Sequence, residues 1–328
     1  MARGRLFEDG KIKEREATAY DDDDIGEFEG LIQTYSGRSL TYDSDIYHAF
    51  AGLNNYFKKR LRGDLVHGMP NTYFDWFLLW NPISVQKRRD KVPSWSWSGW
   101  IGESWPHMWD WYNRSMLRVR GALRQRTWII WYQRKAHNSE EVIRVWTPKK
   151  SSQPTSQPRN FYGGHTKDRF PIDCSRTTPT PRKLTGAPEY FEDSHNPTPG
   201  SGFLQCWTVS LVFKLGRPTS ADENDEPTNG ITRFGIYGRS NRELGIVYLH
   251  PEWAKANLGK DHEFIILCEG RDKRAEYDEI DEEEGWRYKV MLIVWKGDWA
   301  ERISVGSIGK DDLNQSAYGP QWKEIILG

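Results

Sequence analysis

Few residues in this 328-residue chain have the types and spacing that chemistry needs. Cys174, Cys206 and Cys268 stand far apart, with no Cys-x-x-Cys pair and no neighbouring His pair. That pattern spells out neither a zinc site nor a disulfide framework. His67, in "VHGMP", lies beside Gly and Pro, the surroundings of a turn residue rather than of a general base. "GGH" (163–165) has no strand before it and no helix after it, so it lacks the frame of a phosphate loop. No Gly-x-Ser-x-Gly elbow and no P-loop occur. The run Asp21 to Asp24 closes a charged stretch, residues 1–25, that reads as a solvated, disordered tail rather than a metal site. "ADENDE" (221–226) and "DEIDEEE" (278–284) read as exposed hairpin loops, without the alternating ligands and central glycine of a calcium loop. A catalytic carboxylate pair is defined by its separation in space, which spacing along the chain does not supply. The expectation is a chain with no catalytic residue, no cofactor and no metal.

The unusual chemistry is aromatic instead. Of 17 tryptophans, three fall within "KVPSWSWSGW" (91–100), where Trp95, Trp97 and Trp100 alternate with Ser94, Ser96 and Ser98 behind Pro93. As a strand, this stretch would put Trp95 and Trp97 on one face and the serines on the other. Such an apolar face suits packing against "FDWFLLW" (74–80), with Gly99 allowing a sharp turn or a close approach. The rival reading is an exposed Trp row that stacks on sugar rings, making the chain a carbohydrate- or ligand-binding β-sandwich. That reading needs Trp95, Trp97 or Trp105 in solvent. The core reading is preferred, because tryptophan is seldom left exposed and its N–H finds a partner when buried.

The elements that must position this block follow from periodicity. Phe28, Leu31, Ile32 and Tyr35 fall on one helical face, and "SGR" (36–38) ends that helix. Ile46, Ala49, Phe50, Leu53, Phe57 and Leu61 form a second stripe, with Asp43 and Asp45 at its start and Lys58, Lys59, Arg60 and Arg62 at its end. That charge order complements the helix dipole, and Gly63 suits the C′ position. "PNTYFDWFLLWNP" (70–82) reads as a short amphipathic helix between two prolines. From residue 93 the period changes to two, and about ten short strands follow, from "MLRVRG" to "QWKEIILG". In "CWTVSLVFKL" (206–215) the residues Trp207, Val209, Leu211, Phe213 and Leu215 face one way. "PEWAKANLG" (251–259) is the one helix expected among the strands. The fold expected is α+β: a short helical segment (26–92) packed on a mainly antiparallel β-sandwich or barrel-like domain (93–328). Between strands, roughly residues 148–202 hold nine of the 17 prolines with many Ser and Thr, which reads as a flexible insertion.

Composition narrows the partners. Lys plus Arg and Asp plus Glu both total 46, a balance that argues against a nucleic-acid binder. The start has no apolar segment of the secretory kind, and the longest apolar run, "VMLIVW" (290–295), is too short to span a bilayer. A soluble cytoplasmic protein with a protein partner is expected.

The order "LIQTYSGRSLTYDSDIYHAFAGL", then "HGMPNTYFDWFLLW", then "PSWSWSGW" resembles the fungal heterokaryon-incompatibility (HET) proteins, in the region downstream of their HET domain. The ending, "YKVMLIVW", "AERISVGSIG" and "WKEIILG", is similar to the same family. The resemblance covers about residues 28–120 well and 203–328 more loosely, and its signature positions are Asp75, Trp76, Trp80, Pro93, Ser94, Trp95, Trp97, Gly99 and Trp100. Family members commonly carry Ala where this chain has Ser98; a small residue is kept. The family's "G-Y-x-W-G" and "W-I-D-x-x-C-I-N-Q" blocks do not occur, so no catalytic residue carries over. The resemblance implies non-self recognition or regulation of a cell-death effector, a TIR-like HET domain absent from this chain.

Overall fold

The computed structural model describes residues 23–38, 40–61, 63–105, 126–147, 169–192, 200–217, 230–271 and 286–328. The acidic runs at 221–226 and 278–284, "GGH", "MLRVRG" and all of the charged tail up to residue 22 lie outside them.

Two helices open the chain, α1 (Asp23–Ser36) and α2 (Asp45–Arg60). Both follow the apolar stripes: Phe28 is fully buried and meets Phe50 and Phe57 of α2 edge-on, at ring-centroid distances of 5.9 and 4.9 Å. Asp45 in the first turn of α2 and Lys58, Lys59 and Arg60 in the last complement its dipole, as the charge order requires. Gly63 serves a different purpose from a left-handed cap. A Cβ there would stand 2.3 Å from Asn71 Oδ1, so the glycine permits close approach of the next turn.

A two-residue hairpin, β1 (Leu65–Val66) and β2 (Met69–Pro70), turns through His67 and Gly68, both at positive φ (50° and 79°). "PNTYFDWFLLWNP" then forms a 3-10 turn at Asn71–Tyr73 and the single-turn helix α3 (Phe74–Phe77). It is buried on all sides rather than amphipathic, because it is sandwiched between layers. Phe77 meets Phe28 above at 5.1 Å, while Asp75 and Phe74 reach Trp131 below. Short pairings follow: β3 (Asn81–Pro82) with β6 (Ser104–Trp105), and β4 (Lys87–Arg88) with β5 (Trp100–Ile101).

The remaining strands are β7 (Tyr132–Arg134), β8 (Val142–Arg144), β9 (Leu204–Gly216), β10 (Thr232–Tyr237), β11 (Glu243–Leu249), β12 (Asp261–Arg271), β13 (Trp286–Trp295), β14 (Ala300–Gly309) and β15 (Gln321–Leu327). They form one nine-stranded sheet, antiparallel except where β15 meets β14. Helix α4 (Pro251–Asn257) sits between β11 and β12, with Pro251 at its first position and His250 Nδ1 accepting from Glu252 N–H. The sheet closes on itself. β9 pairs with β12, β12 with β13, β13 with β14, β14 with β11, β11 with β10, and β10 returns to β9. The fold is α+β, with an antiparallel barrel as its β part.

β9 makes this closure possible through its 13-residue length. Lys214 faces Asp261 of β12 on one edge and Tyr237 of β10 on the other, while Ser210 faces Ile265 and Gln321 of β15. One edge of β9 therefore serves β12 and then β7, and the other serves β10 and then β15. The gap between β10 and β15 is filled by the segment after β14: Ser316 Oγ accepts from Val212 N–H, and Ala317 N–H donates to Val212 O. Completing the ring removes the free edges that an open sheet exposes.

The sequences "FIILC" and "VMLI" are buried at every position, from Phe264 to Cys268 and from Val290 to Ile293. Strands covered on both faces read as continuous apolar runs rather than alternations. One face here fills the barrel; the other lies beneath α3 and residues 126–131. One apolar cluster accordingly runs without a break from Ile25 to Leu327.

The insertion expected to be flexible over 148–202 is structured in its central part. Residues 169–192 form an extended strap across the barrel, and residues 148–168 and 193–199 lie outside the described set. Phe170, Cys174, Leu184 and Tyr190 are buried, and Arg169 pairs with the buried Glu269 at 2.7 Å. Five such anchors order a segment whose average composition is polar, because burial acts on individual residues and not on composition.

Candidate functional site: the Trp-Ser junction

Residues 93–100 are not a strand. Residues 97–99 make a 3-10 turn, with Ser96 Oγ accepting from Ser98 N–H at 3.0 Å. β pairing begins only at Trp100. The serines explain the difference, since a hydroxyl that captures a nearby backbone N–H competes with ladder formation. Trp95 and Trp97 thus leave the chain in different directions, and both are buried, at 0% and 1% exposure. The rival reading of a solvent-facing sugar platform fails at these two positions; the side chain of Trp105 lies outside the described residues.

The indoles here donate to backbone carbonyls, those of Trp95 and Trp97 to carbonyls of other segments. Trp97 Nε1 reaches Gly68 O at 2.8 Å, Trp95 Nε1 reaches Gly202 O at 2.8 Å, and Trp80 Nε1 reaches Trp95 O at 3.0 Å. Trp100, half-buried, donates to Ser94 O at 2.8 Å. The hydroxyls do the same. Ser96 and Ser98 both donate to His67 O, at 2.6 and 3.1 Å, and Ser94 donates to Gly328 O. Ser94 Oγ also accepts from Arg302 N–H at 2.9 Å. Tryptophan supplies a large apolar body with one donor, and serine a small donor that fits between such bodies. The alternation therefore ties the His67–Gly68 turn, the strap junction at Gly202 and the ends of β14 and β15 to one point.

Pro93 and Gly99 set the tightness of this knot. A Cβ on Gly99 would lie 2.2 Å from Pro93 O and 2.8 Å from Arg88 Nη1. Trp76, on α3, is buried at 3% exposure. Every signature position thus belongs to the junction or to the α3 turn beneath it.

Three buried polar groups meet at the junction: His67, which the sequence marks as a turn residue, and Arg89 and Arg302, which it does not mark at all. His67 is fully buried, with Nδ1 2.5 Å from Tyr47 Oη and its ring edge-on to Trp95 at 5.5 Å. Burial lowers its pKa to about 3, so the ring is neutral and serves as a turn residue with a polar anchor. Arg89, at 1% exposure, pairs with Asp43 at 2.8 Å and donates from Nε to Ser98 O. Arg302 of β14 donates through Nη1 to Leu78 O at 2.7 Å and through Nη2 to Trp80 O, with its guanidinium 3.6 Å above the Trp80 ring. Only tertiary contact marks the two arginines; "AERISVGSI" carries no sign that its arginine turns inward.

Asp75 accepts from Trp131 Nε1 at 2.7 Å through Oδ1, while Oδ2 meets no donor among the described residues. Burial holds its carboxyl well above the usual range, and the Trp131 hydrogen bond opposes this more weakly. A raised folded-state pKa means that Asp75's contribution is complete below the unfolded value of about 3.9 and is lost as pH climbs towards the folded value. Asp75→Asn keeps an acceptor for Trp131 without that liability. Its melting temperature should equal or trail the unsubstituted chain at pH 4 and exceed it at pH 8. A gap that stays constant across this range would show that Asp75 is not a buried neutral acid.

The three cysteines are buried and free. Burial pushes the Cys174 thiol up to about 11 and holds those of Cys206 and Cys268 well above the usual thiol range, which makes all three poor nucleophiles. Among the described residues no group of three or more His, Cys, Asp or Glu side chains is placed to hold a metal. The cleft beside the junction, lined by Tyr47, Phe50, Asn54 and Trp97, admits about one water molecule. The arrangement fastens segments together; its donors and acceptors point at the protein's own backbone. No described helix is long and apolar enough to cross a membrane. The chain matches no protein-family model, no curated protein and no solved structure.

Proposed function

We propose that this chain is a non-catalytic region of a heterokaryon-incompatibility-like protein, acting in the cytoplasm in non-self recognition or in control of a cell-death effector domain. The observation that carries the reading is the burial of the signature. The residues behind the resemblance, from Asp75 to Trp100, form an interior junction that joins helices to barrel, which is what a fold-defining signature requires. A catalytic signature would instead present a nucleophile or a general base to a cleft. The barrel's outer surface is then the part available to a protein partner.

The test is a viability assay in a filamentous fungus. The chain expressed alone should leave growth unchanged, and co-expression should raise or suppress killing by a HET effector domain at least tenfold in surviving colonies. Killing by the chain alone, or no influence on several HET domains, overturns the proposal.

A further inference from the structure

The strap's path across the barrel has a regularity that packing alone does not require. Carbonyls of alternate residues, Arg176, Thr178, Thr180 and Arg182, each accept a hydrogen bond from a side chain of the sheet. The donors are Trp322 Nε1 (2.6 Å), Trp207 Nε1 (3.0 Å), Gln205 Nε2 (3.0 Å) and Arg134 Nη2. They come from three adjacent strands, β15, β9 and β7, so the strap crosses the strands instead of pairing with them. Arg134 Nη1 donates to Gln205 Oε1 at 3.1 Å, and Gln205 Nε2 also donates to Glu324 Oε1 at 2.8 Å, which fixes the row of donors. Of the strap's own N–H groups in this stretch, that of Thr180 donates to Glu324 at 2.6 Å.

Such a row of donors suits a particular ligand. It takes carbonyls at every second residue and asks for almost no N–H, so proline is accepted where a sheet edge would reject it. The occupant here is "RTTPTPR" (176–182), with Pro179 buried and Pro181 exposed. The Arg176 guanidinium lies 4.7 Å above the Trp207 ring. Tryptophan N–H groups donating to the carbonyls of an extended proline-rich segment are the physics of polyproline recognition. The middle of the strap is held mainly by these polar contacts, with Pro179 its one buried apolar residue. Ser175, Arg176, Thr178, Pro181 and Lys183 are exposed, and its large buried anchors lie towards the two ends, at Phe170, Leu184 and Tyr190.

We propose that the barrel face bearing Trp322, Trp207, Gln205 and Arg134 is a binding groove for extended Thr/Pro/Arg peptide segments of a partner protein, and that the strap occupies it in cis. Displacement of the strap opens the groove, so partner binding competes with a tethered copy of the ligand. A tether of this length acts at an effective concentration of about millimolar, which weakens the apparent affinity for a peptide in trans. The proposal does not depend on the family reading above.

The test uses the full chain and a fluorescent peptide of residues 175–183, "SRTTPTPRK", followed by anisotropy. Pro179→Asp places a charge beside Glu324 and releases the strap. This variant should bind the peptide at least tenfold more tightly than the unsubstituted chain. Adding Trp207→Phe and Trp322→Phe keeps the rings, deletes both donors and should remove most of that gain. A peptide with both prolines changed to alanine should bind more weakly. Equal binding within twofold by all variants overturns the proposal and leaves the strap as a structural cover. Dimerisation of Pro179→Asp without peptide uptake also overturns it, assigning the groove to strap exchange between copies. Should Pro179→Asp fail to fold, hydrogen exchange on the unsubstituted chain decides. Millimolar peptide should speed exchange of the Thr180 amide about tenfold, and an unchanged rate refutes competition.

Discussion

Arg302→Ala lowers the unfolding free energy by about 3–5 kcal/mol, the largest loss expected from any single polar substitution at the junction. The guanidinium is buried, and burial holds its pKa well below the ordinary arginine value. What stabilises it is a pair of backbone carbonyls, Leu78 O and Trp80 O, and the face of Trp80. Those carbonyls lie just past the α3 turn, where the chain has left the helix and carbonyls lack intrahelical partners. Alanine leaves both unsatisfied and opens a cavity under the indole. Arg302→Met keeps much of the volume and removes the buried charge, so its loss should be about 1–3 kcal/mol. Urea unfolding of both variants checks this. A cost below about 1 kcal/mol for alanine would mean that the α3 turn is held to β14 by apolar packing alone.

Gly99→Ala ranks second and is expected to cost about 3 kcal/mol, the upper end of the usual penalty for forcing atoms into a packed interior. The added methyl overlaps Pro93 O, at 2.2 Å. That carbonyl cannot retreat, because the adjoining Ser94 is held by Gly328 O, Arg302 N–H and Trp100 Nε1. The prediction has an internal control. Gly52, exposed within α2, has nothing within 4 Å of its added Cβ, and Gly52→Ala should stabilise the chain by about 0.5–1 kcal/mol through helix propensity. Opposite signs for two Gly→Ala changes separate close approach from backbone entropy. Tryptophan emission supplies the second readout: Gly99→Ala should shift it to the red as Trp95 and Trp97 meet water, while Gly52→Ala leaves it unchanged.

The strands were legible because local pattern and burial coincide there. β9 to β15 fall where period-two or continuous apolar runs stand, and α1, α2 and α4 fall where the stripe and caps stand. Of the strand expected at "RTWIIWY" (126–132) only Tyr132 lies in a strand, as the first residue of β7, and the reason is tertiary. Thr127 makes only a single bridge to Cys268, and Trp128, Ile129 and Trp131 turn inward to cover β12 and β13. The same logic misread Pro93 to Trp100: alternation of Trp and Ser has a strand's period, yet each serine found a better partner outside a ladder.

What the sequence determined by itself is the set of local commitments. These are two amphipathic helices, the second with a charge order that suits its dipole, the strands of an antiparallel sheet, and a tryptophan block too apolar to stay in water. The tertiary structure alone decided the closure of the sheet, because it depends on β9 holding different partners along both edges. It alone turned Arg302 inward and seated Asp75 against Trp131, since a polar side chain's burial depends on which carbonyls and donors arrive from elsewhere in the chain. The strap shows the same division most clearly. Its composition is that of a loop, and only the alternate donors of β15, β9 and β7 gave its carbonyls a place to bind.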